Sequence, residues 1–311
     1  MNKMFDTVIL GGGPAGLSAA IYSSRSACST AIIDTCILGG QPSNYLELEN
    51  YPGFSRIGGF ELMEKFEEHV DMFGVQKLVM QEIEFIDLKS NPKIIKTKEH
   101  TIEAKTVIIA TGAKPSKLGV PGEKEFLGRG VSYCAVCDGG FYKDKVIAVV
   151  GGGNSALEEA HYLTKFAAKV YLIHRRDSFR ADKIVQERVL QNPKIEFISD
   201  TVVEKIMGEE LVNGIVLKNV KTGASGVLPV EGIFPYIGIT PNVEFISGQL
   251  NQDASGFILT DETMQTSLPG VFAVGDVRHT PLRQVITAAA DGAVGAVYAA
   301  KYLETLAQVP V

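Results

Sequence analysis

The sequence is short of cysteine, has no long apolar run and carries no block of like charge, and each scarcity closes off a class of function. Four cysteines in 311 residues, Cys28, Cys36, Cys134 and Cys137, are too few to staple a secreted disulfide scaffold of this length. The expected compartment is therefore the cytoplasm, where a close cysteine pair serves catalysis or metal binding more often than structure. No apolar stretch reaches the roughly 18 to 20 residues that a membrane span requires, so a soluble chain with no membrane partner is expected. Residues 1–20 contain a lysine, an apolar stretch and small residues, as a secretory leader does, but Asp6 and Gly11-Gly12-Gly13 interrupt the apolar part. The net charge of -6 is spread along the chain, which argues against nucleic acid and anionic membrane as partners. Small molecules and proteins remain.

What is abundant is glycine, with 32 in the chain, many of them at strand-to-helix turns where a backbone can approach a ligand closely. Residues 5–11 read as a buried strand that runs into Gly11-x-Gly13-x-x-Gly16, with Pro14 and Ala15 inside the motif, and then into a small-residue helix. Such a turn admits a pyrophosphate and offers it the N–H groups of the helix N-terminus. A second apolar strand, 30–33, ends at Asp34, an acid placed to accept hydrogen bonds from a ribose hydroxyl.

The arrangement recurs. A strand over 145–150 precedes Gly151-x-Gly153-x-x-Ala156, with Asn154 and Ser155 inside the motif, then a helix is expected around 158–166 and a further strand over 169–173. Asp34 lies 23 residues after Gly11, and His174 lies 23 residues after Gly151. The registers coincide while the chemistry differs, because the second copy offers His174-Arg175-Arg176 with Arg180 one turn on. Guanidiniums grip a 2′-phosphate that a carboxylate would repel. The first site is expected to hold FAD and the second NADPH; a solvated basic face is the plainer account of the arginines.

Two further strands end in candidate flavin contacts. Residues 107–110 lead into Thr111-Gly112, and 271–274 lead into Gly275-Asp276, where Asp276 would accept from a ribityl hydroxyl or merely cap the following helix. Arg283-Gln284 then precedes a small-residue helix over 288–300. Because the Gly275-Asp276 segment belongs with the N-terminal fingerprint, the expected fold is α/β, with two Rossmann-like nucleotide-binding domains of three-layer ββα type. The NADPH domain (118–242, carrying the cysteine pair) is inserted into a discontinuous FAD domain (1–117 and 243–311). Turn-rich hinges are expected at 113–115 and 238–241.

Cys134-Ala135-Val136-Cys137-Asp138 precedes the second fingerprint strand. Two cysteines at this spacing at the start of a helix can close a disulfide, the helix N-terminus lowers a thiol pKa, and Asp138 is placed to move protons. A structural zinc site would need two more ligands, and Cys28 and Cys36 are spaced poorly for it. No metal is expected, and Cys28 and Cys36 are expected in the core.

With these residues placed, the chain resembles the low-molecular-weight thioredoxin reductases over nearly its whole length. The most specific points are residues 134–139, His174-Arg175-Arg176 with Arg180, Gly39-Gly40-Gln41 with residues 49–53, and Gly275-Asp276 with Arg283-Gln284. The resemblance implies flavin contacts from Gly39, Gly40, Gln41 and Asn50 besides those named above. It implies a homodimer and a Cys134–Cys137 redox disulfide with Cys137 nearer the flavin. It further implies acid-base work by Asp138, and rotation of the NADPH domain to let Cys134 attack the disulfide of thioredoxin. Gly140 departs from the apolar residue that family members often carry there, next to the docking surface for the protein substrate. Other functions to be weighed are a reductase of another small disulfide protein or a peroxidase-type partner, a ferredoxin–NADP reductase, and a nucleotide sensor with structural zinc.

Overall fold

Strict alternation of buried side chains builds the first sheet. In β1 (Asn2–Leu10), Val8 and Leu10 face one core cluster and Ile9 the opposite one, all three without exposed surface. The computed structural model describes residues 2–45, 47–246 and 248–307, which divide into two compact units, residues 1–114 with 240–311 and residues 115–239.

In the first unit, β1 is followed by α1 (Pro14–Arg25), β2 (Thr30–Ile33), α2 (Gly59–Asp71) and β3 (Gln76–Leu78). Then come β4 (Ile83–Asp87), β5 (Lys93–Thr97) and β6 (Thr101–Ile109). Strands β3, β2, β1 and β6 pair in parallel in that order. β6 is long enough to hold two neighbours on its far side: antiparallel β5 along Thr101–Ala104, and a late parallel strand along Val107–Ile109. One face of the sheet packs on Ile86, Leu88 and Ile95, the other on α1 and the C-terminal helix. Each fully buried isoleucine or leucine is worth about 1.5–3 kcal/mol against exposure, so both faces are needed to hold the sheet.

The chain leaves the first unit through β7 (Ala113–Pro115) and, in the second unit, forms α3 (Ala135–Asp138), β8 (Val146–Gly151), α4 (Asn154–Leu163), β9 (Lys169–Ile173), α5 (Lys183–Leu190) and β10 (Ile195–Ile198). Three antiparallel strands follow, β11 (Thr201–Gly208), β12 (Val212–Asn219) and β13 (Ser225–Leu228), and then β14 (Gly232–Tyr236). The parallel sheet has the order β10, β9, β8, β14. That is the order of β3, β2, β1 and β6, so the same half-fold occurs twice. Helices α4 and α5 cover one face, and Val203, Ile206, Val212 and Ile215 of the antiparallel strands cover the other.

β15 (Ile239–Pro241) pairs with β7 where the chain returns. β16 (Val271–Ala273) completes the first sheet, and α6 (Val285–Ala307) closes the unit. α6 runs well beyond the expected 288–300, and none of the helices described is both long and apolar enough to cross a membrane. Its glycine lets it approach α1: a Cβ at Gly292 would lie 2.1 Å from the Ala15 carbonyl oxygen. Cys36 is not a core residue as expected. It follows β2 in an exposed turn, and Cys28 is only half-buried.

Glu159, on the buried face of α4, is 6% exposed. Burial, with the Glu158 charge adding to it, pushes its carboxyl up to about 7. The folded state therefore holds a proton that the unfolded chain releases at lower pH, so this group's stabilisation is present in acid and is lost as pH rises toward 7. Glu159→Gln is expected to change unfolding free energy little at pH 5 and to raise it by ~1–3 kcal/mol at pH 8. Urea titrations of both proteins at the two pH values check this.

Candidate functional site

The first glycine turn is shaped by what cannot be added to it. Gly11 has a φ of +103°, and a Cβ at Gly16 would lie 1.9 Å from the Gly11 carbonyl oxygen, so strand and helix meet backbone to backbone. Above the turn, Gly13 faces Gly40 without any intervening side chain: a Cβ on Gly13 would still stand 3.9 Å from the Gly40 Cα. The outcome is a cradle of bare backbone at the head of α1. Asp34, at the end of β2, accepts the Gly12 N–H at 2.6 Å through Oδ2 and the Cys36 N–H at 2.8 Å through Oδ1. Its carboxylate thus stands at the rim of that cradle, held by backbone donors.

The other expected residues of this unit fall into small groups. Thr111 and Gly112 are locked by Asn242, which accepts the Thr111 hydroxyl at 2.7 Å through its carbonyl and donates its side-chain N–H to the Thr111 carbonyl at 2.9 Å. Asn50 donates to the Gln284 side chain at 3.0 Å, and the Gln41 side chain reaches the Ala113 carbonyl at 3.5 Å. Gly39 and Gly40 lead into the short turn Gln41–Asn44, where Ser43 Oγ is buried without a partner. Asp276 lies in the turn Gly275–Val277. Burial raises its pKa and the Asp291 charge adds to this, against the opposing pull of Arg283. The Arg283 guanidinium lies 4.1 Å from the centre of the Phe257 ring, and its Nε is buried without a partner. Asp291 of α6 ties this turn down by accepting the Gly275 N–H at 3.2 Å and Arg278 Nε at 2.7 Å. Neither Asn242 nor the Arg278–Asp291 pair belongs to a motif, so spacing alone could not single them out.

In the second unit, Gly151, Gly152 and Gly153 turn the chain from β8 into α4, with Asn154, Ser155 and Ala156 in its first turn. The ring of His174 occupies the place that a Cβ on Gly152 would need, 2.6 Å away. That ring is buried and stacks toward Phe179. Burial lowers its pKa, and the charges of Arg180, Arg175 and Arg176 lower it further, so His174 is neutral near pH 7 and shapes the turn. Arg175, Arg176 and Arg180 are exposed. The Arg180 N–H donates to the Gly152 carbonyl at 2.7 Å, and Asp182 exchanges two hydrogen bonds with Asn154, at 2.8 and 2.7 Å. These contacts bring the arginine loop against the glycine turn and the positive end of α4.

Cys134 and Cys137 are joined by a disulfide, with sulfurs 2.08 Å apart and Cα atoms 5.3 Å apart. Cys134 caps α3, its Sγ accepting the Cys137 N–H at 3.1 Å. Ser132 Oγ accepts the Cys134 N–H at 3.1 Å, and the Tyr236 hydroxyl accepts the Ala135 N–H at 3.0 Å. Cys134 is half-buried and Cys137 exposed. Asp138 follows directly, and its charge adds to burial in pushing the Tyr142 phenol up to about 12. The arrangement is a sulfur pair held at a helix start, able to accept two electrons and return them to another disulfide.

Comparison with known proteins agrees with this geometry. The family model described as pyridine nucleotide-disulphide oxidoreductase matches residues 5–292. Thioredoxin reductase from Peptoclostridium acidaminophilum is 45% identical over 311 residues, covering 98% of each chain. The crystal structure of Lactococcus lactis thioredoxin reductase matches with a TM-score of 0.94 and 45% identity, over 97% of this chain and 99% of that one. That of T. acidophilum thioredoxin reductase matches with a TM-score of 0.91 and 34% identity, over 98% and 99%. With fingerprint turns in both units, a cysteine pair bonded at a helix start and relatives of this kind along its whole length, the chain belongs to the thioredoxin reductases of the pyridine nucleotide-disulphide oxidoreductase family.

Proposed function

We propose that this chain takes electrons from NADPH, passes them through bound FAD to Cys134 and Cys137, and delivers them to the disulfide of thioredoxin. The observation that carries the reading is the Cys134–Cys137 bond at the head of α3, in the same unit as the arginine-bearing glycine turn. FAD is assigned to residues 1–114 with 240–311, and NADPH to residues 115–239. The scarcity of cysteine favours the cytoplasm, and family membership favours a homodimer.

The residues fit these groups. In the first unit, the backbone cradle of Gly11, Gly13 and Gly16 suits a pyrophosphate, Asp34 a ribose hydroxyl, and Asp276 a ribityl hydroxyl. Arg283 Nε and Ser43 Oγ are buried polar atoms still awaiting partners. Bound FAD supplies a two-electron carrier between a nicotinamide and a disulfide. In the second unit, Gly151, Gly153 and the start of α4 receive the pyrophosphate, while Arg175, Arg176 and Arg180 grip a 2′-phosphate.

Two electrons and two protons open the Cys134–Cys137 bond to a dithiol, with Asp138 holding or passing a proton beside Cys137. Cys134, as thiolate, then attacks the thioredoxin disulfide, expelling one of its sulfurs. Cys137 attacks Cys134 in the mixed disulfide, which releases reduced thioredoxin and re-forms the bond. The connecting segments β7 and β15 serve as the hinges on which the NADPH unit swings between these half-reactions.

Cys134→Ser is expected to abolish NADPH-dependent reduction of thioredoxin and of a disulfide dye; undiminished turnover by the variant removes Cys134 from the mechanism. At ~1.5–3 kcal/mol for each charge-assisted hydrogen bond, losing two guanidiniums weakens NADPH binding by roughly 100-fold or more. Arg175→Ala with Arg176→Ala is therefore expected to raise KM for NADPH by about that factor and KM for NADH by no more than about threefold. Equal losses for both nucleotides reject the phosphate clamp.

A further inference from the structure

The chemistry above leaves one buried anion unused. Glu123 is 5% exposed, and its carboxylate takes three hydrogen bonds. Oε1 accepts the Leu118 N–H at 2.7 Å and the Tyr133 hydroxyl at 2.5 Å, and Oε2 accepts the Gly119 N–H at 2.7 Å. Two of these donors lie in the segment that carries the chain from β7 into the second unit. The third belongs to the residue immediately before Cys134.

The backbone on either side of Tyr133 is already fixed. The Ser132 N–H donates to the Ile233 carbonyl at 3.1 Å, and the Cys134 and Ala135 N–H groups are held by Ser132 Oγ and the Tyr236 hydroxyl. Tyr133 is pinned through its side chain, by a charge-assisted hydrogen bond to an anion that is itself held by two backbone donors. Burial and the Glu123 carboxylate together push the phenol pKa well up, so it remains a donor at every pH the protein meets.

We propose that Glu123 and Tyr133 are positioning residues for the Cys134–Cys137 couple, holding the run into α3 so that each sulfur, once reduced, stays within reach of the other. The proposal rests on the reading of that couple as the redox centre. A dithiol closes to a disulfide in proportion to the effective concentration of one thiol at the other, and that concentration falls when the chain bearing one of them gains freedom. Loosening residue 133 therefore makes the disulfide easier to reduce.

The experiment equilibrates the protein with glutathione buffers under argon, quenches with acid, alkylates and reads residues 134 and 137 by peptide mass. In this exchange two glutathione thiols become one glutathione disulfide, and the Cys134–Cys137 bond takes up their two electrons and two protons. Glu123→Gln turns an amide NH2 toward a backbone N–H and threatens the fold. Tyr133→Phe is the decisive variant, because it removes one hydroxyl and leaves both backbone donors paired. The expected result is a shift of about tenfold toward the dithiol, equal to about 30 mV in potential. Thr201→Val, which removes a partly buried hydrogen bond to the Ser199 carbonyl elsewhere in the same unit, is expected to leave the equilibrium unchanged. An equilibrium in Tyr133→Phe within twofold of wild type, or an equal shift in Thr201→Val, overturns the proposal. A wild-type pair that stays closed in the flavin-bearing protein under excess NADPH refutes the proposed function itself, and this inference with it.

Discussion

There is room for a hydrogen atom at position 16 and for nothing larger, because the Gly11 carbonyl oxygen stands 1.9 Å from where a Cβ would be. This close approach fixes the angle at which α1 leaves β1; in the second unit Ala156 stands in the place of Gly16, and the room is made at Gly151, where a Cβ would lie 2.3 Å from the Tyr236 carbonyl oxygen and 2.7 Å from the Ala156 Cβ. Each turn leaves the N–H groups of a helix start facing an open cradle, and each sheet is ordered so that the cradle sits at the carboxyl ends of its strands. Asp34 and the arginine loop are tied to these two turns directly, through the Gly12 N–H and the Gly152 carbonyl.

From the same half-fold, the two units diverge through the residue that ends the second strand. Asp34 is held at the rim of its cradle by two backbone N–H donors, leaving a carboxylate close to the turn. His174 occupies the equivalent register, yet its neutral ring fills the space beside Gly152, and the charge passes to the exposed arginines that follow. A loop hydrogen-bonded to the glycine turn through the Arg180 N–H carries that charge to the positive end of α4. One cradle is thus bordered by an acid, while the loop bonded to the other carries three exposed arginines, a difference in charge on a common backbone.

The strands, the turns and the α/β architecture were legible because they obey local rules. An apolar run in β1, branched residues in β2 and glycine at fixed offsets act within a few residues, and a helix follows each turn as expected, although α4 (Asn154–Leu163) begins and ends earlier than the expected 158–166. Contacts that span the chain were not legible. Asn242 secures Thr111 across 131 residues, and Arg278 finds Asp291 on a different element. The forked pairing of β6 depends on β16, which arrives 162 residues after β6 ends. Cys36 was misplaced because a small thiol reads as a core residue from its type, whereas the turn after β2 puts it outside. Glu123 carries no signal in its spacing, since its importance comes from three donors that folding brings to it.

The account turns on electrons ending their path at two sulfurs. Anaerobic reductive titration of the purified flavin-bearing protein with dithionite tests this most directly, by counting the electrons each chain absorbs. Wild type should take up two more electrons per chain than Cys134→Ser, because a disulfide is a two-electron couple and the serine variant has lost it. Equal uptake by the two proteins would contradict the account.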